Sequence, residues 1–197
     1  MLIGLLRHGV VEGGNRFRGR TDDPLTAAGW EQMWAAVKND VRWEGIVTSP
    51  LRRCAQFART LARQRSIPLT LDARLAEMHF GSWEGRSAAE LMSADPEALA
   101  RFWDDPAAHT PAGAEPLACF APRVLEAWNG IVRDHPGRRV LLVTHGGVMR
   151  VILCHVLRRP VERLLEFDVG HAALHRVRAH IDAQGNIHAE LVADRCV

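Results

Sequence analysis

The 197-residue sequence predicts an α/β architecture, a three-layer α/β/α sandwich built on a mostly parallel sheet. Short apolar runs alternate along the chain with longer segments of helical period, the pattern of parallel strands joined by crossover helices. Two of those runs stop abruptly at a His-Gly pair, His8-Gly9 and His145-Gly146, and the chain closes on strand-like alternation around a Gly-containing turn.

Leu2–Leu6 reads as the first buried strand, stopped by Arg7-His8-Gly9. A polar loop rich in Gly and Arg follows as far as Pro24. Thr26 then caps a helix in which Trp30, Met33, Trp34 and Val37 recur at helical spacing, interrupted by Gly29, whose role is not legible from its neighbours. Gly45–Thr48 is the second strand, and Ser49-Pro50 opens a helix with Leu51, Cys54, Ala58 and Leu61 on one face. Ile67–Leu71 is a third strand, after which Arg74 to Gly85 carries no sustained period and reads as a loop. Between Ser87 and Pro116, two short amphipathic pieces around Leu91 and Phe102 are broken by Asp95-Pro96 and by the stretch Pro106 to Gly113. Leu117, Phe120, Val124, Trp128 and Ile131 define a long helix that tolerates Pro122 only near its first turns or as a kink. Arg139–Thr144 is a strongly apolar strand ending at His145-Gly146-Gly147, and Val148–Leu157 a buried helix. Val177, Ala179 and Ile181 alternate, Gln184-Gly185-Asn186 turns, and Ile187–Val192 returns as the second arm of a hairpin. The expectation is one domain over residues 1–197 with a short helical insertion at about 86–116.

Composition narrows the function. Apolar residues are 47% of the chain and charged residues 24%, and 16 glycines with 10 prolines are too few for a low-complexity or fibrous chain. A net charge of +2 predicts no strong attraction to nucleic acid or to an anionic membrane. Lys38 is the sole lysine; the arginines supply fork geometry suited to phosphate and carboxylate, although genomic base composition explains the bias equally well. Cys54, Cys119, Cys154 and Cys196 are widely spaced without a CxxC, and the first three fall in segments read as apolar helix faces. Reduced thiols and a cytoplasmic location are expected. The N-terminal apolar run is too short and wrongly flanked for a secretion signal, and no run approaches a membrane span.

In a doubly wound sheet, ligands bind beyond the carboxyl ends of strands where the strand order reverses. One histidine after a strand is more often a satisfied structural residue, but His8 and His145 occupy the same topological place and so face one crevice. Arg7 adjoins His8, and Arg52 lies in the first turn after the strand ending at Thr48; together their guanidinium groups fit the oxygens of a phosphoryl group, whereas either alone reads as a surface salt bridge. Glu77 sits in an apolar, aromatic loop, a setting in which a carboxyl group can serve as an acid near neutral pH. His79, His109, His135, His155, His171, His175, His180 and His188 form no compact ligand spacing, so neither a metal nor any other cofactor is expected. Arg16, Arg18 and Arg20 can draw an anion inward or simply face solvent; Trp83 and Trp103 can stack on an aromatic leaving group or pack in the core; Asp22 fixes a loop turn.

Arg7-His8-Gly9, the stretch GRTDDPLT from Gly19 to Thr26, Thr48-Ser49-Pro50-Leu51-Arg52-Arg53, the Glu77 loop and Val143-Thr144-His145-Gly146-Gly147 stand in an order that resembles the histidine phosphatase superfamily, the phosphoglycerate-mutase-like fold. The resemblance covers nearly the whole chain. Within it, GGNRFRGRTDDPLTAAGW followed by Gln32-Met33 is similar to the alpha-ribazole phosphatase branch of cobalamin biosynthesis. The resemblance implies a phosphomonoesterase in which His8 is the phosphorylated nucleophile and Arg7, Arg52 and His145 clamp phosphate. Asn15 and Gly146 would bind it further, and Glu77 would donate the proton. Val10 departs from the family's usual glutamate after RHG, and Pro111-Ala112-Gly113-Ala114-Glu115 only approximates its usual Gly-Glu-Ser, which clouds the substrate contacts.

The attacking imidazole must be neutral, with its second ring nitrogen held as N–H by an acceptor, expected to be a backbone carbonyl. The expected partner is a small-molecule phosphomonoester, with the oligomeric state open between monomer and dimer. A phosphoglycerate mutase, a broad sugar or nucleotide monophosphatase, or a non-catalytic phosphate-binding module would use the same groups. Against the mutase, Ser87–Pro116 holds only Arg101 as a basic residue apart from His109, where mutases of this fold generally carry a longer, basic insertion.

Overall fold

The computed structural model of the chain describes residues 1–38 and 41–192; Cys196 lies outside them. Its centre is a sheet in the order β3-β2-β4-β1-β5-β6, made of β1 (Leu2–Arg7), β2 (Gly45–Thr48), β3 (Leu69–Leu71), β4 (Arg139–Thr144), β5 (Leu174–Ile181) and β6 (Ile187–Val192). The first four run parallel, and the β5–β6 hairpin adds antiparallel beside β1.

Helices α1 (Ala27–Lys38) and α2 (Arg52–Arg65) cover one face of the sheet; α5 (Leu117–Asp134) and α6 (Gly146–Val156) cover the other. Strand β4 shows why both faces must be covered. Its side chains alternate, so Val140 and Leu142 pack with Val124, Trp128, Val148 and Ile152, while Leu141 and Val143 pack with Met33, Phe57 and Leu61. The result is the expected three-layer α/β/α sandwich. No helix among the described residues is long and apolar enough to cross a membrane.

The break at Asp95-Pro96 separates α3 (Ala88–Ala94) from α4 (Pro96–Asp104). Ser87 and Glu90 form a reciprocal capping box for α3; Asp95 accepts the Ala98 N–H, and Pro96 takes the first position of α4, where a missing N–H does no harm. Pro122 lies inside α5, in its second turn.

Several boundaries differ from the sequence reading. Strand β3 is shorter because the Ile67 N–H closes the end of α2 on Ala62 and Pro68 has no N–H to give a ladder. Helix α2 starts at Arg52, since the Ser49 N–H still bonds to Val143 in β4. The stretch from Arg74 to Gly85, read as a loop, is overlapped by two short 3-10 turns, Ala73–Leu75 and Gly81–Trp83. Helix α6 begins at Gly146, two residues early. Cys54 and Cys154 are buried thiols, but Cys119 is exposed, outside the buried stripe of α5.

Gly29 now has a reason. A Cβ there would collide with the Val10 backbone, and one on Gly9 would collide with Gly29. The two glycines let the segment leaving β1 lie flush on the first turn of α1, where Thr26 caps the Gly29 N–H. In register, Arg7 pairs with Thr144, so the residues that follow, His8 and His145, leave the sheet side by side.

Candidate active site

His8 lies 7% exposed on the floor of a cavity of about 540 Å³. Its backbone N–H donates to Thr144, continuing the β1–β4 ladder by one residue. Its ring Nδ1 lies 2.8 Å from the Gly9 carbonyl. A carbonyl can only accept, so Nδ1 carries the hydrogen and the lone pair resides on Nε2. Burial, reinforced by the Arg53 and Arg7 guanidinium groups, holds the His8 pKa well below the usual histidine value, so the imidazole is neutral.

The structure brings Arg53, not Arg52, to this centre. Arg52 is exposed, and only its backbone N–H has a role, donating to Asp22 Oδ1 at 2.6 Å; Asp22 therefore caps α2 from a neighbouring loop. Arg53 is fully buried, donating to the carbonyls of Thr21 at 2.7 Å and Gly19 at 3.0 Å and from Nε to His145 Nδ1 at 3.2 Å. Consecutive helical residues point about 100° apart, and Arg53 shares its face with buried Phe57 and Leu61.

His145 reaches the site from behind. Its ring is fully buried, 5.3 Å from the His8 ring, and it does not line the cavity. Because Nδ1 accepts from Arg53, Nε2 carries the hydrogen and donates to Ser49 Oγ at 2.7 Å. Both nitrogens are thus engaged by protein. Burial first, then Arg53, His8 and Arg7, keep it neutral.

The anion-binding features converge at the start of α6. Arg7 lines the cavity with its Nε buried and without a protein partner, while Nη1 donates to the Val169 carbonyl. A side chain at Gly146 would sit 3.3 Å from Arg7 Nε and 3.1 Å from Arg150 Nη1. Glycine therefore leaves room for two guanidinium groups and an anion at a helix N-terminus. Arg150, one turn along α6, and His171 also line the cavity; the sequence reading assigned neither to it. Arg150 was discoverable as the i+4 neighbour of Gly146. His171 had no local signal, because it comes from the segment before β5.

Glu77 is buried at the cavity wall, with Oε1 accepting from Met78 and Oε2 from Gly147, each at 3.0 Å. The other nearby carboxylates have structural roles. Glu84 accepts the backbone N–H groups of Gly19, Arg20, Thr21 and Phe80 and the Thr21 hydroxyl. Burial opposes its charge, but these donors win and lower its pKa. Glu115 pairs with Arg123, which also holds the carbonyls of Arg74, Ala76 and Glu77. Asn15 is exposed at the cavity rim.

Beyond the polar floor the wall is apolar, with Phe17, Phe80, Phe102, Trp103, Leu117 and Leu164 all lining it. Phe17 contacts Phe80 at 5.2 Å and Trp103 at 6.2 Å between ring centroids. Trp83 packs in the core at 8% exposure, whereas Trp103 is 48% exposed at the mouth. Arg16 and Arg18 line the cavity but are engaged elsewhere, Arg16 with Gly85 and Glu90 and Arg18 with Asp23, Glu12 and Gly14. Arg20 is exposed and does not line it.

The sequence model of the histidine phosphatase superfamily, branch 1, matches residues 3–189. A bifunctional protein of Mycobacterium tuberculosis is 34% identical over 195 residues, covering 96% of this chain and 50% of that protein. The chain thus spans about half the length of such relatives. A glucosyl-3-phosphoglycerate phosphatase of Mycolicibacterium vanbaalenii is 32% identical over 197 residues, covering 92% of this chain and 86% of that protein. Among solved structures, the alpha-ribazole phosphatase from Shigella flexneri superposes with a TM-score of 0.82 at 26% identity, covering 98% of this chain and 95% of the other.

Proposed function

The chain belongs to the histidine phosphatase superfamily, and from that premise we propose that it is a cofactor-independent phosphomonoesterase working through a phosphohistidine on His8. The observation that carries the reading is the neutral His8 ring, its Nδ1–H held by the Gly9 carbonyl, on the floor of a cavity that also presents Arg7, Arg150 and the start of α6. Imidazole Nε2 attacks phosphorus in line, forming the N–P bond as the ester P–O bond breaks. Arg7 and Arg150, with the Gly146 backbone and Asn15, neutralise and orient the phosphoryl oxygens. Glu77 gives a proton to the departing alkoxide. As carboxylate it then takes a proton from the water that attacks the phosphohistidine; the N–P bond breaks, phosphate leaves and neutral His8 is restored. His145 and Arg53 act behind the nucleophile as positioning residues.

For the substrate we propose a monophosphate with an uncharged, flat remainder, with alpha-ribazole 5′-phosphate as the leading candidate. The aromatic wall suits a heteroaromatic base better than a carboxylate-bearing sugar such as glucosyl-3-phosphoglycerate. Hydrolysis is favoured over mutase chemistry because the α3–α4 insertion contributes Arg101 alone as an arginine, and that residue is exposed and pairs with Glu97 at 3.6 Å. The test is a panel of phosphomonoesters ranked by kcat/KM, with acid-labile phosphoenzyme trapped by rapid quench. Alpha-ribazole 5′-phosphate should lead the panel. A lead for glucosyl-3-phosphoglycerate would replace the substrate and keep the reaction, and absence of phosphoenzyme with every ester would make the chain a binding module.

A further inference from the structure

We propose that His171 is a further ligand of the bound phosphoryl group, neutral in the free site and cationic once an anion is bound, so that binding takes up a proton from solvent. The inference rests on the phosphatase reading above and adds a group to it.

The geometry is specific. His171 Nε2 lies 3.5 Å from Arg7 Nη2, and its ring centroid lies 5.7 Å from that of His8. It lines the cavity, as does Arg7, whose Nε is buried without a partner among the described residues. The segment that carries it is tied to the backbone of those two residues: Ala172 N–H donates to the His8 carbonyl at 3.2 Å and Arg7 N–H to the Ala173 carbonyl at 3.0 Å. Ala172 adopts φ 55, a left-handed conformation that alanine takes only where its surroundings impose it. Nothing in the reaction as written above uses this strap.

The charge on His171 depends on what occupies the site. His171 is exposed at the cavity edge; in the free site, partial loss of hydration together with Arg7 from β1 and Arg18 from the loop after His8 pushes its pKa down to about 4. His8 faces it as a neutral ring, and Arg150 from α6 and Asp168 from its own segment act on Arg7 in opposite electrostatic senses. The cations prevail, and a neutral imidazole accepting from Arg7 is the favoured form. A tetrahedral dianion seated between Arg7 and His8 reverses the field at the ring. Protonation then gives the anion another donor, and Arg7 Nη2, released from His171, turns its N–H to the anion as well.

Sulfate is the probe, because it stays doubly charged across the pH range in which His171 would titrate and is not turned over. Calorimetry in buffers of differing ionisation enthalpy should find uptake of about one proton per sulfate near pH 6, with affinity falling several-fold, up to about tenfold, per pH unit as pH rises. In His171→Gln, which keeps an acceptor for Arg7, uptake should fall to near zero and the pH dependence should flatten. His171→Lys should bind sulfate tightly without uptake. The proposal is overturned if the wild-type protein binds sulfate without taking up a proton, if it does not bind sulfate, or if His171→Gln takes up as many protons as the wild type, which would assign them to His8 or His145. None of these readouts depends on turnover, so failure of the phosphatase reading, seen as absence of phosphoenzyme, is a separate result.

Discussion

At the scale of single residues, the site depends on which atom of each side chain is already occupied. His8 has its Nδ1 tied to the carbonyl of the next residue while its ring opens into the cavity. His8→Ala should abolish turnover and leave the unfolding midpoint nearly unchanged; residual activity of about a tenth or more would remove it as nucleophile. Glu77→Gln should slow esters with poor leaving groups by about 100-fold or more while barely affecting activated aryl phosphates, since only the former need a proton in the transition state. Equal slowing of both would move the acid elsewhere, although Glu84 and Glu115 are committed to backbone and Arg123. The two adjacent arginines should separate cleanly. Arg52→Met should keep activity within about twofold, whereas Arg53→Met, which strands buried carbonyls and the His145 Nδ1 acceptor, should lower stability by ~3 kcal/mol or more and activity with it. Denaturant midpoints and kcat/KM for the two variants check this.

At the scale of elements, the short α3–α4 segment supplies Phe102 and Trp103 to the wall on which the leaving group would rest. Its break at Asp95-Pro96 was legible as a local pattern; that break and the Ser87–Glu90 capping box explain why two such short helices hold their shape. Whether Trp103 or the nearby Trp83 faced inward was not legible, because both sit among polar and charged neighbours, Ser82 and Glu84 around one, Asp104 and Asp105 after the other. Both rings pack against Phe17 and Phe102, and depth distinguishes them: Trp83 is enclosed, whereas Trp103 remains half-exposed at the mouth. Trp103→Ala should therefore raise KM for a nucleoside monophosphate about five- to tenfold and leave KM for a small alkyl phosphate within about twofold. An equal rise for both would detach the wall from substrate recognition.

At the scale of the whole molecule, two neutral histidines are buried at the junction of β1 and β4, and this makes stability depend on pH. Burial is the first cause of the lowered pKa of both His8 and His145. The unfolded chain protonates these residues below about pH 6.5 and the folded chain does not, so stability is full above that pH and falls as pH drops toward the folded pKa values. These two groups should bring the decline to ~2.7 kcal/mol per pH unit, and the lowered His171 pKa adds to it in the same direction. Urea midpoints at about pH 7.5, 6 and 5 measure it, and a midpoint flat over that range would mean that the two rings take up protons in the folded state.

Local periodicity carried the architecture, since a strand or helix reveals which of its own faces is buried: the α/β layering, the closing hairpin, the Thr26 cap, and the emergence of His8 and His145 from parallel strands could all be read from neighbours a few positions apart. The choice of Arg53 over Arg52 needed the face that α2 turns toward the sheet. Arg150 and His171 needed α6 and the segment before β5 to meet over β1, and the reason for Gly29 needed the loop after His8 to lie on α1. These residues stand far apart along the chain and have no shared spacing. Their meeting is set by strand order and by packing at a distance of a few ångströms, quantities that no short window of sequence contains.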